Sequence, residues 1–260
     1  MTNEEYNRFW FAFEGIRAKI ADILFPYGLQ KAKWILDVPA GHGLLAHEIA
    51  LRTTIGQVIG LGLRNDARDF KATQRLLEFS EGLGNVTYVQ CDATKLSFGE
   101  NCFDFIVNFL GLEDIHMTRG EKGLSESFTE FTRILRPGGI LQIAVSIIGD
   151  EPDEILSQEI TEYIGHKAIF KKKEFFKQQF EKNGIQLLKE KWLYSQKKLT
   201  AEQAAEELQF ACEQTPKTFQ DFEVKCRSFK EVWEKFSERI QEIGMAYYSD
   251  ICVLIGQKID

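Results

Sequence analysis

A glycine-rich turn follows the first apolar run of the sequence. Residues 41–46 read Gly-His-Gly-Leu-Leu-Ala and match the pattern G-x-G-x-x-[GA] between a predicted strand and a predicted helix. Gly41 and Gly43 lack the Cβ atoms that would keep a ligand from the backbone, and the amide of Leu44 can receive an anionic group at the helix start. Such a turn suits NAD, NADP, flavin or an adenosyl cofactor; glycines that only cap a packed turn are the alternative.

A carboxylate stands four residues before the turn. Asp37 ends the apolar run, where an unpaired carboxylate would be costly, so we expect it to bind a cation or backbone amides. S-adenosylmethionine carries an ammonium and a sulfonium, whereas the pyrophosphate of a dinucleotide is anionic. Asp37 therefore favours an adenosyl sulfonium cofactor over NAD(P), and capping of loop amides is its alternative role.

Strands and helices alternate around this turn. The apolar pattern predicts strands over 34–38, 57–63, 86–91, 103–110, 140–146 and 185–194, and a last strand in "MAYYSDICVLIGQ". Helices are predicted over 44–52, 67–81 and 172–183, and another is predicted to stop at "RPGG", with Gly138 and Gly139 as C-terminal caps. Short apolar strands between helices indicate a parallel sheet buried on both faces.

Helical segments precede the first and the last strand. Residue spacing predicts a helical cap over 1–30, and capping boxes at Thr200 and Ser228 predict helices in an insert or lid over 195–245. We therefore expect one domain over 1–260. Both segments could enclose a substrate, although core packing is the commoner role of aromatic stripes. The candidate lid residues are Tyr6, Phe9, Trp10, Phe13 and Tyr247.

Composition limits the partners. The net charge of −7 disfavours a nucleic-acid partner, and the basic stretch over 167–177 is better explained as a solvated helix start. Five cysteines without a C-x-x-C pair argue against disulfides and a zinc site, and fit a reducing cytoplasm. The acidic first residues are unlike a signal peptide, and no apolar run approaches the ~18 residues of a membrane span. We expect a cytoplasmic protein without a metal or membrane partner.

Four segments occur in a fixed order, "LDVPAGHG", "VTYVQCDATKLSF", "FDFIVNFLGLEDI" and "RILRPGGILQI". Together they resemble the class I S-adenosylmethionine-dependent methyltransferases over roughly residues 30–195. The resemblance implies an α/β fold with a doubly wound, mostly parallel seven-stranded sheet in the order 3-2-1-4-5-7-6, strand 7 antiparallel. It also implies a cofactor at the carboxyl ends of strands 1 to 4, the usual ligand position in open α/β sheets.

The resemblance further implies three groups of cofactor-binding residues. The methionine part is assigned to Asp37, Pro39, Ala40, Gly41, His42 and Gly43, the adenine to Asp92 and Ala93, and the surroundings of the sulfonium to Asn108, Phe109 and Leu110. His42 replaces the more usual threonine, and it could contact the cofactor or only pack within the loop.

The end of the second strand departs from the family pattern. The acid that binds both ribose hydroxyls is replaced by Gly62, which stands with Leu63 at the ribose position. Losing a charge-assisted hydrogen bond would weaken binding by roughly 1.5–3 kcal/mol, unless Asp66 reaches the ribose by another backbone path or Asn65 replaces the acid. Arg64 is best explained as a solvated arginine, although it could meet an NADP 2′-phosphate or a carboxylated adenosyl cofactor.

The segment after the fourth strand, "FLGLEDIHMTRG", faces the expected position of the methyl group. Methyl transfer needs a general base only when the acceptor must lose a proton. The candidates are Glu113, Asp114 and His116; capping of the next turn and a surface position are their alternative roles. We predict a methyltransferase that acts on a small, partly apolar or aromatic molecule by in-line transfer. A non-catalytic S-adenosylmethionine-binding protein is the first alternative, and an NADP-dependent oxidoreductase is less favoured.

Overall fold

The computed structural model describes residues 15–64, 66–81, 85–147, 149–165, 171–194, 198–247 and 250–259, with the side chains of 76–81 excepted. The predicted lid residues Tyr6, Phe9, Trp10 and Phe13 lie outside this part of the chain, as does Asn65.

A seven-stranded sheet in the order β3-β2-β1-β4-β5-β9-β6 forms the centre of the fold. Its strands are β1 (Trp34–Asp37), β2 (Gln57–Gly62), β3 (Val86–Gln90), β4 (Phe103–Phe109), β5 (Leu135–Ser146), β6 (Ile185–Tyr194) and β9 (Asp250–Lys258). Strands β1 to β5 pair in parallel, and β9 runs antiparallel to both β5 and β6. The predicted order and the single antiparallel strand are confirmed, with β9 as the seventh strand of the sheet.

Helices cover both faces of the sheet. They are α1 (Ile16–Ile23), α2 (Leu44–Ala50), α3 (Asp66–Glu81), α4 (Leu112–Ile134), α5 (Pro152–Ile164), α6 (Lys173–Lys182), α7 (Ala201–Thr218) and α8 (Phe229–Ile243). Because side chains alternate along a strand, Ile35 and Leu36 of β1 enter different cores. Ile35 packs in the core that contains α1, α2 and α3, and Leu36 packs in the core that contains α4 and α6.

The helices of the insert share a third core with α5, a helix that precedes the insert and that the sequence did not predict. Helix α5 packs with α7 and α8 through Ile160, Leu208 and Phe236. Its start carries a capping box between Glu151 and Glu154, a signal that could have revealed it. Two short strands, β7 (Lys198–Leu199) and β8 (Met245–Ala246), pair at the base of this unit.

The predicted glycine caps of α4 are wrong. The helix ends at Ile134, and Leu135 is already extended. The pairing of β4 with β5 jumps from Phe103–Leu135 to Phe105–Ile140, so the "RPGG" segment forms an irregularity inside β5. Gly138, with a φ of 74°, supplies the left-handed backbone there instead of capping the helix. Within the described part of the chain, no helix combines the length and apolarity needed to cross a membrane.

Candidate active site

The predicted cofactor residues are brought together at one edge of the sheet. Asp37 ends β1, Gly62 ends β2, Asp92 follows β3, and Asn108 lies at the end of β4. These four strands are parallel neighbours, so their carboxyl ends meet where β1 separates the two halves of the sheet, the position at which such folds bind ligands.

Asp37 is a buried carboxylate with one backbone partner. Its side chain is 1% exposed, and its Oδ2 accepts a hydrogen bond from the Ala46 amide of α2 at 3.0 Å. Burial raises the pKa of Asp37 to about 8, although the Ala46 amide and the positive charge of Arg17 oppose that shift. The guanidinium of Arg17 lies 4.7 Å from the centre of the Phe109 ring, so α1 reaches the site, a contact that the sequence analysis did not predict.

The two glycines of the turn have different surroundings. Gly41 has a φ of 49°, and a Cβ atom there would have none of the described residues within 4 Å. Gly43 has a φ of 77°, and a Cβ atom there would lie 2.5 Å from the ring of Phe70. At Gly41 the described residues thus leave the backbone of the turn uncovered, whereas Gly43 makes room for a core side chain. The turn is held to β2 by the Ala40 amide, which donates to the Leu61 carbonyl at 2.7 Å.

Phe70 of α3 fills the space beneath the turn. It is fully buried, and a Cβ atom at Gly60 of β2 would lie 2.2 Å from its ring. We expect Gly60→Ala to destabilise the fold by about 1–3 kcal/mol, since it overpacks this contact. The melting temperature should fall by about 2–4 °C per kcal/mol. Gly99→Ala is the matched control because a Cβ atom there meets nothing within 4 Å. An unchanged melting temperature of the Gly60 variant would contradict this packing.

Pro39 and His42 complete the turn. A Cβ atom at Gly111 would lie 2.5 Å from Cγ of Pro39, so the start of α4 packs closely on the proline ring. The Nε2 atom of His42 lies 3.9 Å from the Oδ2 atom of Asp69, a contact that fits its alternative role in packing the loop.

The end of β2 is occupied by a carboxylate from the next helix. The Leu63 amide donates to Oδ2 of Asp66 at 2.7 Å, and the Tyr88 hydroxyl donates to the Leu63 carbonyl at 2.6 Å. Burial and the neighbouring charge of Asp69 raise the pKa of Asp66, whereas the Leu63 amide lowers it. An acid is therefore present beside Gly62, although no strand residue supplies it.

A cavity of about 210 Å³ lies at the ends of β2 and β3. Residues of the sheet edge and of the insert line it: Leu63, Arg64, Asp66, Gln90, Thr218, Phe219, Asp221 and Phe222. The insert residues were missed by the sequence analysis, because nothing in "KTFQDFE" shows where that segment folds back. Arg64, although exposed, belongs to this cavity.

Asp92 is engaged by protein groups in the structure. Its Oδ1 accepts from the amide and the hydroxyl of Thr94, and its Oδ2 pairs with Nη2 of Arg119 at 2.5 Å. Although burial raises the pKa of Asp92, these partners lower it overall. The guanidinium of Arg119 lies 4.2 Å from the centre of the Phe222 ring, which joins α4 to the insert. Ala93 is buried in the core.

The end of β4 carries an unpaired acceptor. Asn108 is fully buried, and its Nδ2 donates to the Val38 carbonyl at 2.8 Å, but its Oδ1 has no partner among the described residues. Two positions on, Leu110 has a φ of 53°, and its amide donates to the Ala144 carbonyl. Left-handed backbone at a non-glycine residue and an orphaned buried acceptor are both typical of sites built for a ligand.

The three candidate bases lie in the first turns of α4. Oε1 of Glu113 accepts from the Ser146 amide at 3.2 Å, its Oε2 is buried without a partner among the described residues, and burial raises its pKa to about 7. Asp114 is exposed as a residue, but desolvation of its carboxyl group and the charges of Glu113 and Asp66 raise its pKa to about 8. His116 is 5% exposed, so its alternative role as a surface residue is wrong.

Tyr247, the predicted lid residue within the described part of the chain, is half-buried and packs between the core of α1–α3 and the core of the insert.

These groups fit an adenosyl cofactor. A buried carboxylate suits its ammonium, no described side chain covers the backbone at Gly41, and a second carboxylate stands where its ribose is expected. Among the described residues, no group of three or more His, Cys, Asp or Glu side chains could hold a metal ion.

Comparison with known proteins supports this assignment. Residues 36–143 match the family model of a methyltransferase domain. The chain is 33% identical over 135 residues to sterol 24-C-methyltransferase of Yarrowia lipolytica, covering 51% of this chain and 32% of that protein. It is 33% identical over 112 residues to ubiquinone/menaquinone biosynthesis C-methyltransferase UbiE of Idiomarina loihiensis, covering 43% and 42%. The chain thus spans less than half the length of these relatives.

Solved structures share the fold at low identity. A phosphoethanolamine N-methyltransferase 2 of Haemonchus contortus, in complex with phosphomonomethylethanolamine and S-adenosylhomocysteine, is 20% identical with a TM-score of 0.54, covering 96% of this chain and 57% of that one. The [4+2]-cyclase SpnF is 17% identical with a TM-score of 0.58, covering 93% and 80%. Residues 36–143 thus match a methyltransferase domain, and the described part of the chain has the α/β fold of these methyltransferase structures.

Proposed function

We propose that this protein transfers a methyl group from S-adenosylmethionine to a small-molecule acceptor by in-line displacement. The observation that carries the proposal is the buried carboxylate of Asp37 at the carboxyl end of β1, directly before the glycine turn. A desolvated acid with a raised pKa is poor at binding a pyrophosphate, but it gains a strong partner in an ammonium. Arg17 supplies a positive charge near the same place, where the carboxylate of the methionine part would lie.

The residues at the strand ends would have separate roles in positioning the acceptor and in accepting a proton. S-adenosylmethionine, when bound, supplies an electrophilic methyl group. Asn108, Phe109 and Leu110 would line the reacting end of the cleft, position the acceptor and exclude water. Glu113 and Asp114, whose raised pKa values lie near neutrality, are suited to accept a proton from an acceptor that must lose one.

The class of acceptor is inferred from the relatives. The two curated relatives are named for a sterol and for ubiquinone and menaquinone, which are small and largely apolar molecules. We therefore propose a small, partly apolar or aromatic acceptor, and a cytoplasmic location remains our expectation.

Thermal unfolding with added ligands tests the cofactor class. A ligand at 100 times its dissociation constant should stabilise the protein by about 2.7 kcal/mol, which corresponds to about 5–10 °C for a domain of this size. We expect S-adenosylmethionine and S-adenosylhomocysteine to give this shift and NADPH to give none. No shift with either adenosyl compound at millimolar concentration would refute the proposal.

Cofactor binding should depend on pH through Asp37. Only the ionised carboxylate can pair with the ammonium, and burial raises the pKa of Asp37 to about 8 in the free protein. The affinity for S-adenosylhomocysteine should therefore rise by up to about tenfold per pH unit between pH 6 and pH 8. Calorimetry in buffers of different ionisation enthalpy should detect a released proton near pH 6.5. An affinity that is constant over this range, without proton release, would contradict the pairing.

A second candidate is a protein that binds the cofactor without transferring methyl groups. The [4+2]-cyclase SpnF has the same fold, so the fold alone does not imply methyl transfer. Methyl-labelled S-adenosylmethionine and a panel of small apolar acceptors separate the two: transfer that is lost in an Asp37 variant supports the enzyme. An NADP-dependent oxidoreductase is the weakest alternative, since the Asp66 carboxylate at the end of β2 would repel a 2′-phosphate.

A further inference from the structure

Gly62 and Asp66 share a single space at the end of β2. A Cβ atom built on Gly62 would lie 2.7 Å from Oδ2 of Asp66, close to the separation of Cβ and carboxylate oxygen within one aspartate side chain. The Asp66 carboxylate therefore lies within the space that a side chain at position 62 would enter.

We propose that Asp66 is the ribose-binding acid of this protein, supplied by the first residue of α3 in place of the missing acid at the end of β2. This assignment rests on the proposed function, since it concerns the ribose of the adenosyl cofactor. Oδ2 of Asp66 is fixed by the Leu63 amide, and Oδ1 makes no hydrogen bond to the described residues. Asp66 also lines the 210 Å³ cavity, as Leu63 and Gln90 do.

The glycine at position 62 fits this assignment. Its backbone does not have a positive φ, so glycine is not required for conformation. A side chain at this position would collide with Asp66 and would also approach the Tyr88 hydroxyl to 2.9 Å. An acid at position 62 and the observed Asp66 carboxylate cannot both be accommodated unless one moves. Gly62 is thus explained as the residue that admits Asp66.

A comparison of two ligands shows whether Asp66 binds the ribose hydroxyls or only holds the loop in place. Calorimetry compares S-adenosylhomocysteine with its 2′,3′-dideoxy analogue, so that the ratio of their affinities reports the hydroxyl contacts alone. The unaltered protein should prefer S-adenosylhomocysteine by about ten- to hundredfold. Asp66→Asn should lose most of this preference, although its side-chain oxygen can still accept from the Leu63 amide and keep the loop folded.

Two further variants make the test specific. Asp221→Asn removes the acid that the insert contributes to the same cavity, and it should keep the preference. Gly62→Asp/Asp66→Ser places the acid on the strand, with serine as the acceptor for the Leu63 amide, and it should regain the preference that Asp66→Asn lacks.

The outcomes distinguish this assignment from the proposed function. If Asp66→Asn keeps the preference, or if Asp221→Asn loses it instead, Asp66 is not the ribose-binding acid, although the protein still binds the cofactor. If the unaltered protein binds neither compound, the proposed function itself fails.

Discussion

The Asp37→Asn protein is expected to bind S-adenosylhomocysteine about thirty- to several-thousandfold more weakly than the unaltered protein, since losing one charge of a buried pair costs about 2–5 kcal/mol. The ligand-free variant should unfold at the same temperature or a higher one. Asparagine can still accept from the Ala46 amide, and the variant no longer buries a carboxylate whose pKa is raised to about 8. Titration calorimetry measures the affinity, and thermal unfolding without ligand measures the stability.

Asp104→Asn is the matched control for that experiment. Asp104 lies on β4, where its carboxylate accepts from the amides of Lys33 and Trp34 at the amino end of β1. It therefore also holds backbone amides, but at the opposite edge of the sheet, and its replacement should leave ligand affinity unchanged. An Asp37→Asn protein that binds as tightly as the control would place the cofactor away from the end of β1.

The Phe70→Ala protein is expected to lose about 3–5 kcal/mol of stability, because it removes a fully buried ring from a close-packed core. Binding of the cofactor should weaken as well, because the Phe70 ring supports Gly43 of the glycine turn as well as Gly60. The ring also packs on Tyr88, with ring centres 4.9 Å apart. Denaturant unfolding measures the first effect, and the affinity for S-adenosylhomocysteine measures the second.

A double-variant cycle shows whether Phe70 acts through this contact. Gly60→Ala should cost little in the Phe70→Ala background, since the ring that its methyl group would meet is gone. Ile55→Ala, which truncates a side chain that is 62% exposed between α2 and β2, serves as the control and should change stability by less than about 0.5 kcal/mol. If the losses of stability caused by Gly60→Ala and Phe70→Ala simply add in the double variant, the contact between the two residues is contradicted.

The arrangement of the sheet could be predicted because its signals are local. Apolar strands and their order place Asp37, Asp92 and Asn108 at one edge, and the structure confirms the sheet that does so. The end of α4 could not be predicted in the same way. "RPGG" is compatible with a helix cap and with an irregular strand, and only its pairing with β4 decides between them.

The site itself could be predicted only in part, because side-chain contacts depend on elements distant in sequence. Nothing in the glycine turn shows that Gly43 faces Phe70 whereas Gly41 has none of the described side chains beside it. The position of Arg17 over Phe109 and that of Phe222 over Arg119 depend on how α1 and the insert fold back. Asp66 was a candidate from the sequence, but only the backbone path between β2 and α3 shows that its carboxylate lies beside Gly62.

A crystal structure of the protein with S-adenosylhomocysteine tests the central claim most directly. We predict that the ligand lies across the carboxyl ends of β1 to β4, with its ammonium against the Asp37 carboxylate and its ribose at the end of β2. A ligand bound elsewhere on the protein, or one whose ammonium makes no contact with Asp37, would contradict the account.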